Sequence, residues 1–399
     1  MRDSTYQMFP ELKPVQTEAD TRRIAFSRPY MGREEIDAAA AVIGSGWIVG
    51  GPRLEEFEQR FASRCGAAEA VGVANWTTGA FLVLHAWGIG PGDEVIVPSL
   101  TFIATVNVIR HVGAVPVFGD VNPETYNLDP RDAAQKITGR TRVIMPVDQL
   151  GLPADLDAFN DLARKHNVRV LDDAACALGS CNNDRPVGSL ANVTVFSLHA
   201  RKVITTGEGG MILTNDGDFA ARLRRLRHQG MSLSDFMRHD APPTTFETYP
   251  EIGYNFRITD IQAAIGLAQL DRLDDILERR KAIAERYQAA LAADPIFIPP
   301  YVPPHLSPNW QTYQIAVRDR LPETRNTVMN SLHAMGVPSR RGVMASHLEP
   351  PYRNRGAILP NTEQVAASTL QLPIHPTLTR AQQDHVLNAL QLIAPERRR

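Results

Sequence analysis

The chain is poor in cysteine, has no long apolar run and carries almost no net charge. Its three cysteines, Cys65, Cys176 and Cys181, supply neither a disulfide framework nor the spacing of a tetrahedral metal site. The stretch from Ala38 to Val49 looks apolar but is too short to cross a bilayer, and glycine and serine interrupt it. Met1 to Thr21 is polar and carries both charges, unlike a signal peptide. With 42 basic residues against 44 acidic ones, net −2, there is no bulk electrostatic case for nucleic acid. The histidines show no metal-binding spacing such as HExxH. A metal-free, soluble, cytoplasmic protein without nucleic-acid or membrane partners is the expectation.

What is present is length and a rhythm. The 399 residues allow two or three domains. Residues 1–24 read as an arm. Ile36 to Ile43 and Leu54 to Arg64 have helical periodicity, and a helical stretch runs from Asn75-Trp76-Thr77-Thr78-Gly79 to Trp87. Seven short apolar runs follow a strand pattern: 70–74, 94–98, 115–118, 143–147, 168–172, 193–197 and 211–214. Most are separated by helix-length segments, which predicts an α/β sandwich around a mostly parallel, buried sheet. Residues 258–290 read as one long helix with Thr259 as its N-cap, leading into a smaller C-terminal domain. There, 314–317 predicts a strand, and 323–335 and 380–393 predict helices. The expected division is an arm (1–24), a large domain (25–275) and a small one (276–399).

Chemistry concentrates just after the strands, where ligands of such sheets bind. Asp173 follows one strand. Lys202 follows another, in Ser197-Leu198-His199-Ala200-Arg201-Lys202, ahead of the glycine-rich Gly207-Glu208-Gly209-Gly210. A lysine amine condenses with an aldehyde, and a carboxylate keeps a ring nitrogen protonated. These are the main contributions a protein makes to pyridoxal phosphate (PLP) chemistry. Asp172 is the weaker candidate of its pair. Thr77 and Thr78, at a strand-to-helix turn, could offer backbone N–H groups and hydroxyls to a phosphate, or simply cap the helix. Ser197 can reach a phosphate, whereas His199 reads as an ordinary hydrogen-bonded residue. Trp47, Trp76 and Phe102 are candidates to stack on a flat ring, against the alternative of core packing. Arg340 and Arg341 could bind an anion but read better as a solvated pair.

These runs, taken in order, resemble the DegT/DnrJ/StrS sugar aminotransferases, PLP enzymes of the aspartate aminotransferase fold (fold type I). The likeness extends from about Ile24 through Ser45-Gly46-Trp47, Gly88 to Pro98, Thr101-Phe102-Ile103-Ala104-Thr105 and Asp173-Ala174-Ala175. It continues through Gly253-Tyr254-Asn255-Phe256-Arg257 to Leu372-Pro373-Ile374-His375-Pro376. It implies that Lys202 holds the cofactor covalently and then shuttles a proton, that Asp173 pairs with the pyridine nitrogen and that Phe102 stacks on the ring. It also implies that Thr77, Thr78 and Ser197 hold the phosphate, with Asn255 reaching it from a partner subunit of a homodimer. The reaction implied is transfer of an amino group from a donor, L-glutamate by analogy, to a keto-sugar linked to a nucleotide. A cyclitol ketone aminotransferase, a PLP-dependent sugar dehydratase and a non-catalytic regulator are the alternatives. Family dehydratases replace the lysine with histidine, so Lys202 speaks against that reading. Three departures stand out. Trp76 replaces the usual glycine and is expected to reshape the pocket. Cys176 replaces a Gln or His near the cofactor's phenolic oxygen. Met231 to Pro250 forms an insertion expected to cover the substrate entrance.

Overall fold

The computed structural model describes residues 24–234, 238–239, 242–353 and 356–396. The expected arm therefore lies outside the described residues except for Ile24, which is buried against the C-terminal core.

All seven apolar runs become strands of one sheet: β1 (Glu69–Val73), β2 (Glu94–Pro98), β3 (Val115–Gly119), β4 (Thr141–Ile144), β5 (Arg169–Asp173), β8 (Val193–Ser197) and β9 (Gly210–Thr214). Their order is β1-β9-β8-β5-β4-β2-β3. Pairings among β3, β2, β4, β5 and β8 are parallel, while β9 runs antiparallel to both of its neighbours. β2 and β9 are buried along their whole length, as expected of apolar runs covered on both faces.

Helices α3 (Trp76–Ala86), α4 (Ile103–His111) and α7 (Gly217–Leu226) pack on one face, where Leu82, Val106 and Leu223 share a core with Val97 and Val195. Helices α1 (Arg33–Ser45), α2 (Pro52–Cys65) and α8 (Asp260–Asp271) are bundled on the other, where Phe57, Phe61 and Leu267 meet Phe196 and Met211. The small α5 (Pro130–Gln135) and α6 (Leu156–His166) complete the cover around Ile96, Ile144 and Val170.

The expected single helix over 258–290 is two, α8 and α9 (Leu273–Leu291). Thr259 caps the first as anticipated, its hydroxyl accepting from Gln262 N at 3.2 Å. At Arg272 the backbone leaves helical geometry, with φ −102° and ψ 1°. The Arg272 guanidinium there binds both oxygens of the buried Glu35 at 2.9 and 3.0 Å and lies over Tyr30. A long-range ion pair thus coincides with the break, which local periodicity does not reveal.

A hairpin of β6 (Cys181–Asn182) and β7 (Arg185–Pro186) joins β11 (Leu306–Ser307) in a minor sheet. The C-terminal residues build a second, antiparallel sheet from β10 (Phe297–Ile298), β12 (Tyr313–Val317), β14 (Thr369–Leu372) and β13 (Arg340–Arg341), in that order. Helices α10 (Pro322–Ala334), α11 (Pro360–Ser368) and α12 (Arg380–Glu396) accompany it. Two polar seams tie this part to the main sheet. Asp120, just after β3, accepts from Thr362 N and Oγ1 at the start of α11. Ser99, just after β2, meets His347 Nδ1 at 2.6 Å.

Candidate active site

The carboxyl ends of β1, β2, β5 and β8 lie along one edge of the main sheet. Because β9 is reversed, its first residue joins them, with Gly210 opposite both Val73 and Ser197. The sequence candidates gather on this edge.

Lys202 sits in the connection between β8 and β9, its amide donating to His199 O at 2.8 Å. Its Nζ reaches Cys176 Sγ at 3.1 Å. Asp173, the last residue of β5, is 3% exposed. Thr105 Oγ1 donates to its Oδ2 at 2.7 Å and Ala175 N to its Oδ1 at 3.1 Å. Burial pushes the Asp173 carboxyl up to about 6, and the Thr105 hydroxyl, the Ala175 amide and the Lys202 charge oppose that rise. A buried carboxylate in this condition is suited to a cationic partner. Asp172 points to the opposite side of the strand and is fully buried, its Oδ2 accepting from Thr194 Oγ1 at 3.3 Å. Burial, reinforced by the charge of Asp148, raises Asp172 well above the usual carboxylate range.

At the start of α3, Asn75 is the N-cap. Its Oδ1 accepts from Thr78 N at 2.9 Å, and Thr78 Oγ1 donates to Asn75 O at 2.9 Å. Both groups of Thr78 therefore serve the cap. The Thr77 hydroxyl makes no hydrogen bond among the described residues, and it follows Trp76 in the first turn, where helix N–H groups lack intrahelical partners. A Cβ at Gly210 would lie 2.6–2.8 Å from the backbone of Asn75 and Trp76, so this glycine lets the helix start close against the sheet. Ser197 Oγ accepts a long 3.4 Å bond from His199 N. His199 accepts from Arg201 N through Nδ1, the ordinary role expected for it.

The expectation that Trp76 reshapes the pocket or stacks on a ring is not met. Its indole is 6% exposed, belongs to the core beneath α3 and donates from Nε1 to Val195 O at 3.1 Å. A bulky residue fits at this turn because it points into the sheet. Trp47 packs against Gly51 and stands edge-on to His239 of the insertion. Phe102, by contrast, is 66% exposed at the start of α4, on the segment that also carries Thr105. Asn255 is exposed and pairs in a bridge with His228. Arg340 and Arg341 are exposed, as a solvated pair would be. Within the insertion, Ser232 and Thr248 exchange two hydrogen bonds and Phe246 stands 80% exposed.

Sequence reasoning gave no role to Asn75, Thr105 or Asn309. Asn75 carried a readable signal, an asparagine immediately before a helical run. Thr105 and Asn309 act across the fold and carried none. The residues present fit PLP: an amine at Lys202, a buried acid at Asp173 that a cation would relieve, a helix start with unpaired donors and an exposed aromatic at Phe102.

A model of the DegT/DnrJ/EryC1/StrS aminotransferase family matches residues 29–391. The chain is 40% identical to the GDP-perosamine synthase of Caulobacter vibrioides, over 93% of this chain and 98% of the other. Among solved structures, the aminotransferase TlmJ of Streptoalloteichus hindustanus superposes with a TM-score of 0.88 at 32% identity, covering 94% of this chain and 100% of that one. DesV of S. venezuelae, solved in complex with a ketimine intermediate, superposes with a TM-score of 0.83 at 33% identity, covering 93% and 99%.

Proposed function

The chain belongs to the DegT/DnrJ/EryC1/StrS aminotransferase family, and from that premise we propose that it transfers an amino group from L-glutamate to a nucleotide-linked keto-sugar. PLP dependence comes with the family. The relative named GDP-perosamine synthase, alike over nearly its whole length, supports a sugar carried on a nucleoside diphosphate. The reading rests most heavily on one observation: Lys202 and the buried Asp173 follow neighbouring parallel strands and so share one sheet edge.

PLP, when bound, supplies an aldehyde that captures amines and a ring that accepts the electron pair left when a Cα proton departs. The chain's own groups do the rest. Lys202 Nζ would hold the cofactor at rest and, as a free amine, would take the Cα proton of the donor in the first half-reaction and deliver a proton to the former carbonyl carbon of the acceptor in the second. Asp173 holds the ring nitrogen's proton through its carboxylate, with Thr105 fixing that carboxylate's orientation. The N–H groups opening α3, with the hydroxyls of Thr77 and Ser197, hold the phosphate. Phe102 covers a ring face. Asn255, exposed in the single chain, completes the phosphate site in a partner subunit, so the working unit is a homodimer. The insertion from Met231 to Pro250, of which residues 235–237 and 240–241 lie outside the described residues, would cover the sugar entrance. No helix among the described residues is long and apolar enough to cross a membrane, which accords with work on a soluble sugar nucleotide in the cytoplasm.

The purified protein should be yellow and lose that colour on addition of L-glutamate. Lys202→Ala should abolish turnover, and a variant that still transaminates at the parent rate would remove Lys202 from this role.

A further inference from the structure

Two side chains just ahead of β12 reach from the second sheet into the site. Asn309 Nδ2 donates to Cys176 O at 2.7 Å and to Leu178 O at 2.9 Å. Gln311 Nε2 donates to Arg201 O at 2.6 Å, one residue before Lys202. They grip the two backbone turns whose side chains meet in the Lys202–Cys176 contact.

The grip has a firm base. Asn309 N donates to Ser180 Oγ at 3.0 Å, and Ser180 Oγ donates to Gly151 O at 2.7 Å. Asn309 Oδ1 accepts from Gln311 N at 2.8 Å, which locks the two residues to each other. The carbonyls of Trp310 and Gln311 accept from Arg280 Nη1 at 3.1 and 3.3 Å. Arg280 is buried on α9, where desolvation brings its guanidinium down to about 10, so it stays charged at neutral pH. Trp310 holds φ 55°, a left-handed conformation that a bulky side chain adopts only under constraint. Gly151 faces the clip at φ +95°, and a Cβ there would lie 2.0 Å from Asn309 Oδ1. Asn309 and Gln311 are themselves 3% and 9% exposed.

We infer that Asn309 and Gln311 are positioning residues for the Lys202 amine. They form a two-armed clip that sets the distance between the Lys202 loop and the Cys176 turn and transmits the placement of β12 to both. The inference rests on the role proposed for Lys202. The sides of the clip are backbone carbonyls in turns, so its removal frees turns rather than breaking a sheet.

The decisive variant is Gln311→Leu, close in size and lacking the donor to Arg201 O, with Asn309→Ala beside it. In the cofactor-free protein, amide hydrogen exchange should quicken at residues 199–203 in the first variant and 174–180 in the second. The rate of PLP capture, read as the onset of yellow colour, should fall about tenfold in each, since small misplacements of a reacting group carry penalties of this size or more. Parent-like exchange and capture in Gln311→Leu would overturn the inference. So would a lowered melting temperature with an unchanged capture rate, which marks a merely structural residue. Lys202→Ala run in parallel keeps the two questions apart. If it captures PLP as the parent does, the reading of Lys202 fails. If only Gln311→Leu behaves as the parent, the clip alone fails.

Discussion

Lys202 Nζ and Cys176 Sγ lie 3.1 Å apart, joining the connection after β8 to the turn after β5. On the role proposed for Lys202, a cofactor held there would lie against the thiol. Iodoacetamide should label Cys176 in the cofactor-free protein, and bound PLP should slow labelling at least about tenfold by blocking access. Cys65 should stay unlabelled, because it is 2% exposed and burial pushes its thiol upward. A Cys181→Ser background with peptide mass spectrometry gives the measurement. Equal labelling with and without PLP would separate the thiol from the cofactor site.

Asp173 is held at about 6 mainly by burial. An acid raised in the folded chain above its unfolded value of about 3.9 lends stability that is complete at low pH and lost as pH rises through about 6. At pH 7.5 the cofactor-free protein therefore carries an unfavourable charge. Asp173→Asn should stabilise that form by on the order of 2–3 kcal/mol in urea unfolding, while its PLP affinity falls at least about tenfold. A variant that is less stable and still binds PLP normally would contradict both halves.

Thr105 Oγ1 donates to Asp173, and that bond lowers the carboxyl's value. On the role proposed for Asp173, PLP binding needs the carboxylate and should weaken as pH falls through the Asp173 value. Thr105→Val removes the donor and should move this loss upward by about one pH unit, whereas Thr105→Ser should behave as the parent. Titrating PLP affinity between pH 5 and pH 8 (a working range of about three units, set by the ordinary span of such shifts) checks the direction.

Trp76 belongs to the core by its packing and its bond to Val195 O. Trp76→Ala should cost about 3–5 kcal/mol in denaturant unfolding, as large-to-small core changes do. Trp76→Phe should cost about 1–2 kcal/mol and leave PLP affinity within about threefold, because the indole faces away from the pocket. A large affinity change in Trp76→Phe with unchanged stability would place the ring in the site after all.

The strands of the main sheet were legible because each is a short apolar run, and the placement of Asp173 and Lys202 on one sheet edge was legible because both follow such runs. Orientation was not. Whether Trp76 points into pocket or core depends on the crossing of α3 over β8, which spacing does not encode. Arg272, where the expected long helix breaks, pairs with Glu35, far away in sequence. The short strands β10, β13 and β14 pair with distant partners and have too few residues to show alternation. Asn309 and Gln311 act through backbone carbonyls, and any residue type can offer those.

The reversal of β9 fixes how Lys202 is tethered. Residues 198–209 leave the sheet at Ser197 and re-enter it at Gly210, which is paired with Ser197 itself. The lysine thus rides on a closed loop with both feet on one rung of adjacent strands, and little chain entropy remains for it to lose when the site assembles. Opening the chain within that loop by circular permutation would leave every strand its neighbours, and it would cost the amine its aim.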